Sequence, residues 1–273
     1  MASAARAELE ALLRTRKLDT TLTSARPLER LDEQYVVPTG IDVLDARLLG
    51  GLARGQLSEI VGPRSSGRTA VLVSMMAGAA SRGELVALVD TFDTFDPGSG
   101  RAGGLDLTRL LWVRGEARAA YPACSAGRLE HEQQARALDR AVKAFSLILQ
   151  AGIFDLAVLD LADAPGAAIR RLPFTTWLRL QRPIEGSSTA AVIVADAPVS
   201  RSAGGVTIAL RAGGAGRGAE ADLPRRSGEP PGDRSGEVAK AGRLFPGLTV
   251  EVHLARARGL AESCRFELRW DAR

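Results

Sequence analysis

Cysteine, histidine and lysine are scarce in this chain, and each scarcity closes off some chemistry. The two cysteines, Cys124 and Cys264, lie far apart in the sequence and read as reduced thiols rather than a disulfide framework. With only His131 and His253 present, a histidine-rich metal centre is excluded. No apolar run approaches the ~20 residues of a membrane-spanning helix. The opening residues Met1-Ala2-Ser3-Ala4-Ala5-Arg6-Ala7-Glu8 lack the apolar core of a signal peptide. A cytoplasmic protein with no membrane contact is therefore expected. Lysine occurs only at Lys17, Lys143 and Lys240, so the basic residues are overwhelmingly arginine. The net charge of +4 permits an anionic polymer as partner without requiring one.

What is present is a core. At 273 residues and 45% hydrophobic, the chain can fill one sizeable domain. Apolar runs recur at Leu57–Val61, Leu85–Val89, Leu110–Val113, Leu156–Leu159 and Ala190–Ala195, with helical segments between them. Buried, uninterrupted strands alternating with helices predict an α/β fold whose parallel sheet is covered on both faces. The helix before Leu156 carries an apolar stripe of Leu138, Ala141, Val142, Phe145, Ile148 and Leu149. Residues 1–30 read as a short amphipathic helix, with Ala5, Leu9, Leu12 and Leu13 on one face, followed by a polar tether. The core is expected over 31–273, interrupted by a flexible Gly/Pro-rich loop at about 211–243. Beyond that loop, Thr249–Leu254 and Cys264–Trp270 alternate in polarity and predict an antiparallel hairpin at the sheet edge.

Between the first strand and its helix stands Gly62-Pro63-Arg64-Ser65-Ser66-Gly67-Arg68-Thr69. It follows the phosphate-loop pattern G-x-x-x-x-G-K-[ST] except that arginine replaces lysine. In such a loop, backbone N–H groups cradle phosphate oxygens at the positive end of a helix, and the lysine reaches the β- and γ-phosphates. A guanidinium is longer, planar and forked, so it does not fill the same slot. The strand Leu156-Ala157-Val158-Leu159-Asp160 has the form of the second nucleotide motif, which assigns Thr69 and Asp160 to Mg²⁺ and makes ATP the expected cofactor, weakly or vestigially bound. Hydrolysis also needs a base that orients water, and the row Asp90, Asp93, Asp96 offers carboxylates but no glutamate.

Pro38-Thr39-Gly40-Ile41-Asp42, Gly50-Gly51-Leu52, Glu59-Ile60-Val61-Gly62-Pro63, Ser65-Ser66-Gly67, and Asp90 with Asp96-Pro97 together resemble the opening of a bacterial RecA core. The likeness runs over about residues 36–197 and implies an ATP-binding RecA-like fold. Departures from the family fall on its motor parts. Phe92 stands where the family has its water-activating glutamate, and Gly100 where an aromatic residue stacks on adenine. Val194-Ala195-Asp196-Ala197 lacks the glutamine that senses the γ-phosphate. The family's separate C-terminal domain is expected to be missing, since the chain stops after the hairpin.

Among RecA relatives the pattern is similar to the ImuA group, small RecA-like proteins of bacterial damage-inducible mutagenesis cassettes. That resemblance implies a non-motor adaptor in the SOS response and translesion synthesis, cytoplasmic and nucleoid-associated, with an ImuB-like polymerase-related partner and RecA. The alternative is a divergent DNA-dependent ATPase in recombinational repair, with Asp93 or Asp90 as its base. The family's two DNA loops correspond here to 164–173, with Arg170 and Arg171, and to part of 198–243, with Arg201, Arg211, Arg217, Arg225 and Arg226, making single-stranded DNA a candidate partner. The N-terminal helix resembles the family's filament-building element. Leu9, Leu12 and Leu13 would then dock on RecA, on a polymerase subunit or on a second copy.

Overall fold

A computed structural model describes residues 35–116, 128–200, 205–212, 248–256 and 264–270, together with Thr15. The predicted N-terminal helix with Leu9, Leu12 and Leu13, the tether, Arg201, and the span 213–247 with Arg217, Arg225 and Arg226 lie outside the described residues. Among the described residues, no helix is long and apolar enough to cross a membrane.

The chain opens with β1 (Val36–Val37), α1 (Asp42–Arg47) and β2 (Leu52–Ala53), the two strands pairing antiparallel as a separate ribbon. The main sheet follows: β3 (Leu57–Val61), α2 (Arg68–Ser81), β4 (Val86–Asp90), α3 (Pro97–Ala102), β5 (Leu110–Arg114), α4 (Arg128–Ala151) and β6 (Leu156–Asp160). Then come α5 (Gly166–Arg171), α6 (Phe174–Gln181), β7 (Ala190–Ala195), β8 (Thr207–Ala212), β9 (Leu248–Arg256) and β10 (Cys264–Trp270). Strand order is β10-β9-β8-β3-β7-β6-β4-β5. The six strands from β8 to β5 run parallel, while β9 and β10 close the other edge antiparallel.

Strands β3, β4 and β7 are buried at every position, and mostly apolar, because both sheet faces are covered. Successive residues alternate between two cores, as the pleat requires. Val86, Leu88, Val158, Val192 and Ile60 pack under α2 with Leu72, Met75 and Met76. Ala87, Val89, Leu159, Ile193 and Val61 pack under α4 and α6 with Leu138, Phe145, Trp177 and Leu180. The predicted stripe of α4 is thus the helix's core face.

Three expectations need correction. Leu110–Val113 is not a buried central strand: β5 is an edge strand with Leu111 43% exposed. Arg211 does not begin a loop, because β8 extends to Ala212 and pairs Arg211 with Glu251 of β9. Arg170 and Arg171 stand on the short helix α5 rather than an irregular loop, exposed while Ile169 turns inward.

One buried charge holds the connection between β7 and β8 in place. Glu59 of β3 is 2% exposed and accepts hydrogen bonds from Val199 N (2.9 Å), Ser200 N (2.5 Å) and Thr207 Oγ1 (3.1 Å). A buried carboxylate needs such donors, and the donors need it equally. Glu59→Leu should cost about 2–4 kcal/mol in urea denaturation, because two buried N–H groups lose their acceptor, while Glu59→Gln should cost about half as much. Equal costs would remove Glu59 from this role.

Candidate nucleotide site

Parallel strands deliver their C-terminal ends to one edge of the sheet, and the nucleotide motifs gather there. Register pairs Val61 with Ala195, Asp160 with Val194 and Asp90 with Asp160, so the ends of β3, β7, β6 and β4 are level. The loop after β3 turns with Ser65 at φ +61° and Gly67 at φ +90°. Gly62 is obligatory for close approach: a Cβ there would stand 2.3 Å from the Leu210 carbonyl oxygen and 2.6 Å from Ser66 Oγ. Helix α2 then begins at Arg68, and its first-turn N–H groups have no intrahelical acceptors.

A cleft of about 490 Å³ opens over this loop. It is lined by Arg64, Ser65, Ser66, Gly67, Arg68 and Thr69, and from the facing elements by Thr94, Asp160 and Asp163. The structure therefore brings the predicted loop residues and the predicted metal pair together. Asp160 accepts a hydrogen bond from Ala162 N at 2.8 Å through Oδ1. Burial, with Asp90 and Asp163 nearby, pushes its carboxyl up to about 6, and Arg68 offsets this in part. Thr69 and Asp160 both line the cleft, and a hydroxyl and a carboxylate are oxygen donors of the type that Mg²⁺ takes.

Both arginines of the loop are already engaged. Arg64 forms an ion pair with Asp163. Arg68, only 8% exposed, reaches across the cleft edge, and its Nη1 bonds Asp196 Oδ1 at 2.5 Å, just past the end of β7. The neighbourhood thus holds two guanidinium groups against the carboxylates of Asp160, Asp163 and Asp196. Sequence reading missed Asp163 and Asp196. The available signal was that a nearly buried guanidinium must find an anion, and Asp196 occupies the span where the RecA resemblance places a γ-phosphate-sensing glutamine.

The remaining positions are filled structurally. Asp90 is 1% exposed and accepts from Thr94 N (3.0 Å), Phe95 N (2.8 Å) and Trp112 Nε1 (3.3 Å), which makes it the clamp of the turn after β4. It borders a separate cavity of about 200 Å³ against α4. Asp93 is gripped by both Arg114 Nε (2.7 Å) and Arg114 Nη2 (2.8 Å), which holds its carboxyl below the usual aspartate range. Phe92 is 3% exposed in the core under α4. Gly100 is covered by the Phe95 ring, 2.7 Å from where a Cβ would stand, and Phe95 meets Trp112 edge-to-face at 5.4 Å. An aromatic side chain at position 100 has no room.

With this geometry in view, comparison with known proteins is specific over one part of the chain. Residues 27–118 match the family model of the RecA N-terminal domain. Protein RecA of Symbiobacterium thermophilum is 44% identical over 89 residues, 30% of this chain and 25% of that protein. Protein RecA of Salinispora tropica is 45% identical over 80 residues, 29% of this chain and 23% of that protein. The chain therefore spans about a quarter of the length of these curated relatives. A crystal structure of the RadB recombinase superposes with TM-score 0.50 at 19% identity, covering 86% of this chain and 96% of that one. The fold is RecA/RadB-like.

The raised carboxyl of Asp160 has a consequence for pH. Between the ordinary aspartate value and about 6, the folded state holds a proton that the unfolded state has released, so stability falls as pH rises through that window. Asp160→Asn should remove this dependence. By thermal denaturation the variant should match wild type near pH 4 and exceed it by about 3 kcal/mol at pH 7. A constant difference across that range would contradict the assignment.

Proposed function

We propose that this chain is a RecA-fold accessory protein of the bacterial DNA-damage response, a non-motor adaptor in translesion synthesis of the ImuA kind. The observation that carries this reading is the fate of the catalytic positions. Arg68 is tied to Asp196, Phe92 is in the core, and neither Asp90 nor Asp93 is free to take a proton from water. Electrostatic stabilisation of a transferring phosphoryl group needs an unsatisfied cation aimed at it, together with a group that orients the nucleophile. Thr69, Asp160 and the loop backbone support retention of a phosphate site, with ATP and Mg²⁺ held weakly.

Partners follow from the same reading. An ImuB-like polymerase-related protein and RecA are the partners the resemblance implies, with docking or self-association through Leu9, Leu12 and Leu13. Exposed Arg170 and Arg171 on α5 are suited to the phosphates of single-stranded DNA, as is Arg211 at the exposed end of β8. Action in the cytoplasm, on the nucleoid, is part of this proposal. The rival reading, a divergent DNA-dependent ATPase, would need Asp93 to leave Arg114 or Asp90 to abandon its turn.

Turnover decides between them. ATP hydrolysis with and without single-stranded DNA should stay at background in wild type, and also in Arg68→Lys, since restoring the lysine leaves Phe92 in place. DNA-stimulated hydrolysis that vanished in Asp160→Ala would overturn the adaptor reading.

A further inference from the structure

The ion pair at the cleft edge bears on which phosphate chain the loop accepts. In a phosphate loop the α- and β-phosphates lie in the backbone cradle, and the side chain before the Ser/Thr serves the β- and γ-positions. Here that side chain is Arg68, and its guanidinium is turned to Asp196 at the end of β7. A diphosphate's oxygens are served mainly by the backbone N–H groups, so it asks less of Arg68 than a triphosphate does. A third phosphate would have to separate Arg68 from Asp196, and it would enter a cleft that Asp163 also lines. We infer that the site selects a nucleoside diphosphate over a triphosphate, and that Asp196 is the residue that sets this selectivity. The inference rests on the reading above that the loop retains phosphate binding.

The size of the effect follows from exposure. The Arg68 side chain is 9% exposed, so the cation cannot be left unpaired, but Asp196 is 57% exposed and can swing into water. Displacing it costs a charge-assisted hydrogen bond in a half-solvated setting. Its Arg68 contact would then be remade by the incoming phosphate, so discrimination of about tenfold is expected rather than thousandfold.

Isothermal titration of the full chain with ADP and with a non-hydrolysable imido analogue of ATP, in one magnesium buffer, tests this. Pyrophosphate and tripolyphosphate repeat the comparison without a base. Wild type should bind the diphosphates about tenfold more tightly than the triphosphates. Asp196→Asn keeps the shape but removes the charge, and Asp196→Ala removes the partner altogether. Both should bring the ratio near one by strengthening triphosphate binding, with ADP affinity held within about twofold. Equal affinities in wild type, a ratio unchanged in both variants, or no binding of any probe would overturn the inference. ATP turnover, measured separately, would sink the adaptor reading while leaving the affinity ratio to stand on its own.

Discussion

A guanidinium taken nine-tenths out of water has to be met by an anion, and in this fold the anion comes from the same chain. Arg68 begins the helix that follows the phosphate loop, and Asp196 lies just past the end of the strand beside the loop's own strand, so their contact joins α2 to the end of β7. Arg64, itself 75% exposed, pairs with Asp163 in the segment after β6. The Arg68 pair joins the loop to β7, and the buried guanidinium has its counter-charge within the chain.

The side chains at the other positions pack or clamp. Phe92 adds to the core under α4, and Phe95 occupies the space over Gly100 while packing on Trp112. Asp90 and Asp93, the carboxylates left near that edge, secure the turn after β4 and hold Arg114, whose guanidinium also lies 4.6 Å from the Trp112 ring centre. Glu59 fixes the far side of the site by holding both ends of the β7–β8 connection. The loop keeps its glycine turns beside side chains that are packed or paired.

Much of the fold was legible because it rests on local apolar runs. β3, β7 and β10 match their expected spans, and β9 extends its expected span by one residue at the start and two at the end. The loop with Gly62, Gly67 and Thr69 and the strand-end Asp160 were legible as motifs of fixed spacing. β8 was not, since Thr207–Ala212 mixes Arg211 with small residues and adjoins glycine-rich sequence, so composition masks a strand that tertiary pairing with β3 and β9 creates. The edge position of β5 depends on strand order, which no single segment encodes. The Arg68–Asp196 and Arg114–Asp93 contacts join residues 128 and 21 apart, and local pattern carries no information at such separations.

Arg68 is held by Asp196. A double-mutant cycle on folding stability, with Arg68→Met, Asp196→Asn and the double variant measured by urea denaturation, isolates that pair from the rest of the loop. A coupling energy of about 1 kcal/mol or more is expected, with Arg68→Met alone less damaging once Asp196 is neutral. Strictly additive effects would contradict the account, since they would mean that Arg68 is free for a ligand.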